Sequence, residues 1–197
     1  WFLAYAPVGV FQIKSSPINL VRDIFRDLPD IPRSFSHLLR IVPSDGFVLI
    51  NGDDPNLLAL PDAPWTRMFK VGVSDSNDLQ VIDFSEDGQG TRFGLAWKGE
   101  EVMRLDWLMP GLFNARNLAM ATLASVLSQP ISKGTGLLSL ENFNPFTSSK
   151  IPDFSACAGV KRRQEILHES KELTVLSDFA HHPTAIAGAL ESLRARW

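Results

Sequence analysis

Near the end of this 197-residue chain, Asp178-Phe179-Ala180-His181-His182-Pro183-Thr184 places a carboxylate, two imidazoles and a hydroxyl within seven positions. An apolar run, Leu173 to Leu176, precedes it, and the amphipathic pattern Ala185 to Leu193 follows. That order reads strand, turn, helix, with Pro183 in the first helical turn, where its missing N–H is not needed. Such turns lie at the C-terminal end of a strand and the N-terminus of a helix, where open α/β sheets take nucleotides and phosphates. Read structurally, His182 or Thr184 sits near the helix cap. Read functionally, Asp178 holds a ribose and one His lies near phosphates. Adjacent His181 and His182 point in different directions, so this pair alone makes no two-His metal site.

Two further stretches carry groups of the right kind. Gly111-Leu112-Phe113-Asn114-Ala115-Arg116-Asn117 opens a helical pattern. It reads either as a Gly turn with Asn114 as N-cap or as a base-binding loop, because an Asn amide both donates to and accepts from an adenine edge. Gly159-Val160-Lys161-Arg162-Arg163-Gln164-Glu165 is basic. It is either a solvated face or a phosphate clamp, for which guanidinium forks are suited.

The elements that position these groups follow from periodicity. Val8, Val10, Phe11 and Ile13 suggest a strand within residues 1–14, and Leu20 to Leu28 has helical spacing. Pro29 to Arg33 reads as a turn, and Phe35 to Ile41 as a short helix ended by Pro43. Phe47 to Ile50 is a short buried strand, followed by an Asn-Gly turn at Asn51-Gly52 and a short helix through Leu60. From Met68 to Met109 the period becomes two, predicting several antiparallel strands (Phe69/Val71/Val73, Val81/Asp83, Phe93/Leu95/Trp97, Val102/Arg104/Asp106). Asn117 to Leu127 predicts a helix, and residues 128–157 have little pattern. The sum is α/β architecture.

Composition narrows the function classes. A net charge of −3 gives no electrostatic case for nucleic acid or an anionic membrane. One cysteine, Cys157, excludes an internal disulfide and makes a reducing, cytoplasmic setting the default. No apolar run is long enough to span a bilayer. Trp1-Phe2-Leu3 does not open like a signal peptide, and both ends read as cuts within a longer protein.

Taken together and in order, the Asn loop, the run GVKRRQEIL and the turn DFAHHPTAI resemble the Mur ligases, ATP-dependent amide ligases of peptidoglycan assembly. Phe35 to Pro43 with Gly46 adds to the likeness, which covers roughly residues 20–128 and 158–197. The resemblance implies a central ATP-binding domain over 1–164, a sheet with helices plus a small antiparallel sheet. It implies the start of a Rossmann-like C-terminal domain over 165–197. It also implies ATP and Mg²⁺, an acyl phosphate intermediate, and amine attack to give an amide, a reaction that demands charge neutralisation and alignment. Residue by residue, Asn117 would contact adenine with Asn114 shaping its loop, and Asp178 would hold the ribose. Arg163, with Lys161, would face the phosphates, and His181 would lie near them at the domain junction. Phe113 stands where many relatives carry His. The wording is most similar to members that join UDP-N-acetylmuramate to the recycled tripeptide L-alanyl-γ-D-glutamyl-meso-diaminopimelate, in cell-wall recycling. Members that add L-alanine are the alternative, and a non-catalytic nucleotide-binding remnant is a third reading.

Departures from the family pattern bear on activity. The family's G-K-S/T phosphate loop is absent, as is its amino-terminal UDP-sugar domain. The Glu-x-x-His segment expected just before Asp23-Ile24-Phe25 is also missing. No Glu precedes Glu86 and no His precedes His37. This stretch and residues 134–156 read as frame-shifted or decayed sequence, and the other frames of the coding DNA distinguish the two. The 197 residues alone are expected to be inactive.

Overall fold

The computed structural model describes residues 10–13, 30–87, 90–129, 143–147, 149–154, 157, 161–180 and 183–196, without the side chains of 10–13, 30–34, 184, 195 and 196. Four helices and eight strands occur among them. They run β1 (Val10–Ile13), α1 (Asp30–Arg40), β2 (Phe47–Asn51), α2 (Pro55–Leu58), β3 (Arg67–Gly72), β4 (Leu79–Asp87), β5 (Gly90–Trp97), β6 (Glu100–Trp107), α3 (Leu112–Leu127), β7 (Glu165–Glu169), β8 (Thr174–Ser177) and α4 (Pro183–Arg196). The helix expected over Leu20 to Leu28 lies outside the described residues.

β1 to β6 form one mixed sheet in sequence order, and β7–β8 form a separate antiparallel ribbon. Within this sheet β2 is parallel to both β1 and β3, while β4–β5 and β5–β6 are antiparallel. β3 also meets β4 in parallel, through Val71–Leu79 and Gly72–Gln80. The antiparallel expectation therefore fails for the Phe69/Val71 strand. The α2 segment between β2 and β3 makes that connection a crossover, which pairs strands in parallel, instead of a hairpin.

β2 shows why the sheet is covered on both faces. Phe47 and Leu49 enter one apolar cluster and Val48 and Ile50 the other, following the two-residue alternation of a strand. The first cluster is closed by α3 through Leu118, Ala119 and Leu123, and the second by Leu39 of α1 and Leu57 of α2. A short helix ended near Pro43 was expected from Phe35. It begins instead at Asp30, so residues 30–33 are helical and not a turn, with Pro32 in the first turn where proline is tolerated. The outer strand β6 carries Arg104, which pairs with Glu101 at 2.6 Å and with Asp83 of β4 at 2.8 Å. Those hydrogen bonds raise the Arg104 guanidinium above its ordinary value and hold the Glu101 carboxyl below its own.

A buried hydroxyl fixes the approach to α3. Thr91 Oγ1 donates to the Met109 carbonyl at 3.0 Å, two residues before Gly111. Thr91→Val keeps the shape and orphans that carbonyl. A loss of about 1–2 kcal/mol in unfolding free energy is expected, read from the midpoint of a urea titration.

Candidate functional site

Gly111 starts the site. It is the N-cap of α3, at φ +90°, with no side-chain cap. A Cβ there would meet the Phe113 ring at 2.5 Å, so both conformation and space call for glycine. Asn114 is therefore not the N-cap. It lies inside the first turn, buried, and its Nδ2 donates to the Pro110 carbonyl at 2.6 Å. The reason is that Gly111 can adopt the entry conformation that the cap position demands. One turn on, Asn117 is exposed on α3. The Gly111 N–H donates to Glu86 Oε1 of β4 at 3.0 Å, which puts a carboxylate at the positive end of α3.

Between Asn114 and Asn117 sits Arg116, and its Nη2 reaches Asp53 Oδ2 at 3.1 Å. Asp53 is a hub. Its carboxylate accepts from the backbone N–H of Val73 at 2.8 Å and of Ser74 at 3.0 Å, and from Asn77 Nδ2 at 3.0 Å. Burial pushes its pKa up, but the hydrogen bonds from Ser74, Val73 and Asn77 and the Arg116 charge outweigh burial and leave it below the usual carboxyl value. The turn after β2, the end of β3 and the second turn of α3 are thus pinned at one carboxylate.

The basic stretch is a turn and not a strand over the described residues 161–164, and β7 begins only at Glu165. Arg162 and Gln164 hold left-handed backbone, at φ +60° and +50°, on either side of Arg163. Non-glycine residues adopt that region at a cost and need local support. Two carboxylates supply it. Glu165 Oε2 accepts from Arg162 N at 2.8 Å, and Asp178 Oδ2 accepts from Gln164 N at 2.9 Å. Asp178 Oδ1 accepts from Ala180 N at 2.6 Å, and Phe179 N donates to the Arg162 carbonyl at 2.8 Å. Lys161, Arg162 and Arg163 are left exposed.

The two halves meet through three polar side chains. Ser192, buried on α4, donates to Glu86 Oε1 at 2.9 Å, the same oxygen that accepts from Gly111. Ser192 Oγ also lies 3.5 Å from Gln164 Oε1, and the buried Gln164 donates through Nε2 to the Ala189 carbonyl at 3.3 Å. A path of hydrogen bonds therefore runs from the start of α3, through Glu86 and α4, to the turn that carries Arg163 and contacts Asp178.

Of the residues singled out in the sequence, Asn114 and Asn117 share the start of α3, while Lys161, Arg163 and Asp178 share the basic turn and its partner strand end. His181 lies outside the described residues. Asp178 has a structural task that its motif did not disclose, although a carboxylate has about four lone-pair sites and two are used here. Among the described residues no three His, Cys, Asp or Glu side chains converge on a metal position. Glu86, Gln164 and Ser192 were not legible in the sequence, because Glu86 and Ser192 stand 106 positions apart with no motif around either. Asp53 had a weak signal, as one of two acidic residues in an Asn-Gly-Asp-Asp turn.

Known proteins resemble this chain in sequence and in fold. A family model described as the Mur ligase middle domain matches residues 22–125, more than half of the chain. A UDP-N-acetylmuramate--L-alanine ligase from Pelobacter propionicus is 29% identical over 96% of this chain and 40% of its own length. Another from Desulfosudis oleivorans is 30% identical over 89% of this chain and 35% of its own. Among solved structures, a murein peptide ligase from Psychrobacter arcticus aligns with a TM-score of 0.55 at 29% identity, covering 86% of this chain and 33% of that one. MurF from Acinetobacter baumannii aligns with a TM-score of 0.68 at 16% identity over 95% of this chain and 37% of that one, a likeness of fold. The chain thus spans well under half the length of these relatives.

Proposed function

Because the chain belongs to the Mur ligase family through its middle domain, we propose that it forms the adenine- and ribose-binding part of an ATP-dependent ligase that builds a C–N bond on UDP-N-acetylmuramate. The observation that carries this reading is the joining of the Asn114/Asn117 turn to the Arg163/Asp178 turn through Glu86, Ser192 and Gln164.

Charge sorts the two ends of the nucleotide. The positive end of α3 already faces Glu86, so a neutral base suits it better than a phosphate. The turn at 161–163 presents three exposed cations and suits the phosphates. Asn117 donates to and accepts from the adenine edge, and Asn114 holds that turn closed through Pro110. Asp178 accepts from ribose hydroxyls on its remaining lone pairs while its backbone contacts keep the carboxylate in place. Lys161 and Arg163 draw charge from the phosphoryl oxygens, and His181 is assigned to the same end. ATP, when bound with Mg²⁺, supplies a phosphoryl group that activates a carboxylate toward an amine. The described residues provide binding and alignment, and offer no metal-ligand set of their own.

The amine is L-alanine on the reading that the curated relatives support, since those cited are UDP-N-acetylmuramate--L-alanine ligases. The tripeptide L-alanyl-γ-D-glutamyl-meso-diaminopimelate is the second reading, favoured by the 29% identity to a murein peptide ligase. Supplying each acceptor with ATP and UDP-N-acetylmuramate to the full-length protein, and measuring phosphate release, separates them. Turnover with neither acceptor would refute both. Boundaries near 164/165 between a central and a C-terminal domain, and a cytoplasmic setting, belong to the same proposal. No helix among the described residues is long and apolar enough to cross a membrane.

Asn117→Ala tests the base contact. AMP affinity is expected to fall about 5–10-fold with the unfolding midpoint changed little, because an exposed amide gives up one or two hydrogen bonds to ligand. Isothermal titration reads it. Unchanged affinity would remove Asn117 from the base site.

A further inference from the structure

The contacts at the junction carry an assignment that the family reading does not contain, though it rests on that reading for its ligand. We infer that Glu86 is a positioning residue for the nucleotide site: one carboxylate oxygen fixes the start of α3 and, through Ser192, sets where the basic turn lies relative to it.

Three observations support this. Glu86 Oε1 accepts from both Gly111 N, at 3.0 Å, and Ser192 Oγ, at 2.9 Å, so it is shared between elements far apart in sequence. Ser192 and Gln164 are buried polar side chains, 5% and 7% exposed, the first on a helix whose Ile186 and Leu190 are exposed and the second at the end of the basic turn. Burying such groups is unfavourable unless they are hydrogen-bonded, so they fix one arrangement where an apolar contact would tolerate sliding. Finally, Gln164 is itself one of the two left-handed residues flanking Arg163, and its N–H is held by Asp178. Whatever holds Gln164 therefore holds Arg163 and Asp178.

The test uses this chain with Ser192→Ala, Glu86→Ala and the double variant. Alanine suits a helix interior, so Ser192→Ala is expected to fold. The first readout is hydrogen exchange at the amides of Gln164, Phe179 and Ala180, without nucleotide. Glu86→Ala is expected to speed exchange there at least threefold, although Glu86 lies on β4. Loss of a local cap on α3 would leave those amides unchanged, and that result would overturn the inference. The second readout is binding of AMP, which spans both ends, against adenine, which needs only the α3 turn. Ser192→Ala is expected to weaken AMP about fivefold and leave adenine unaffected, with the double variant no weaker than Glu86→Ala alone. Independent, multiplying losses would also overturn the inference. If the unsubstituted chain binds neither AMP nor adenine, the proposed function falls, and the exchange readout still decides the role of Glu86.

Discussion

Asp53→Ala is expected to lower the unfolding free energy by about 3–4 kcal/mol, from orphaned partners and an unpaired guanidinium at a part-buried position. The carboxylate serves Val73 N, Ser74 N, Asn77 Nδ2 and Arg116 together, and alanine leaves all four without it. Surface ion pairs contribute little, but Asp53 is only 17% exposed and most of its partners are backbone or buried amide. Its pH dependence gives the effect a signature. The folded pKa lies below the ordinary aspartate value, so the unfolded chain takes up the proton first. The stabilisation is whole above about pH 4. It is lost as pH falls through the depressed folded value, and the variant lacks that portion of the acid limb. Chemical denaturation from pH 6 to pH 2.5 reads both. Parallel acid limbs in the two proteins would remove Asp53 as the hub. Gly72 is part of the same arrangement, because a Cβ there would lie 2.5 Å from the Asp53 oxygens.

Gly111→Val is the second large effect. A valine at φ +90° is strained, its Cβ would stand 2.5 Å from the Phe113 ring and 3.2 Å from Ser192 Oγ, and the neighbour that must move is an aromatic side chain. A cost of about 3 kcal/mol is expected from backbone strain and overpacking together. The loss should fall on the first two turns of α3 and hence on Asn114 and Asn117, so AMP binding is expected to drop below detection. Thermal unfolding and titration calorimetry check the two halves separately. A variant that unfolds like the parent protein would mean that the α3 entry can be rebuilt without glycine.

These two positions show what the sequence could and could not convey. The strand, turn and helix around Asp178 were legible because each obeys a local rule: an apolar run, then Pro183 at a helix start, then helical spacing. The core alternation in β2 was legible for the same reason. Strand direction was not, because pairing depends on what joins the strands. The short α2 between β2 and β3 was predicted, but its consequence for their direction was missed. Asn114 was misplaced as a cap because a φ of +90° at Gly111 is a property of the fold. Asp53 with Arg116, and Glu86 with Ser192, are contacts between separated segments, so no window of residues contains them. The residues named for chemistry rest on type and wording, whereas contacts such as Glu86 with Ser192 emerge only in three dimensions.

The outermost strand of the described sheet, β6, has a consequence beyond the site. An unpaired strand edge invites a second chain to add itself, and long apolar edges lead to fibrils. This edge instead carries Glu100, Glu101, Arg104 and Asp106, with Arg104 bound to Glu101 and Asp83. A second chain adding here would have to line its own side chains up against those charges, so this edge is a poor template for strand addition.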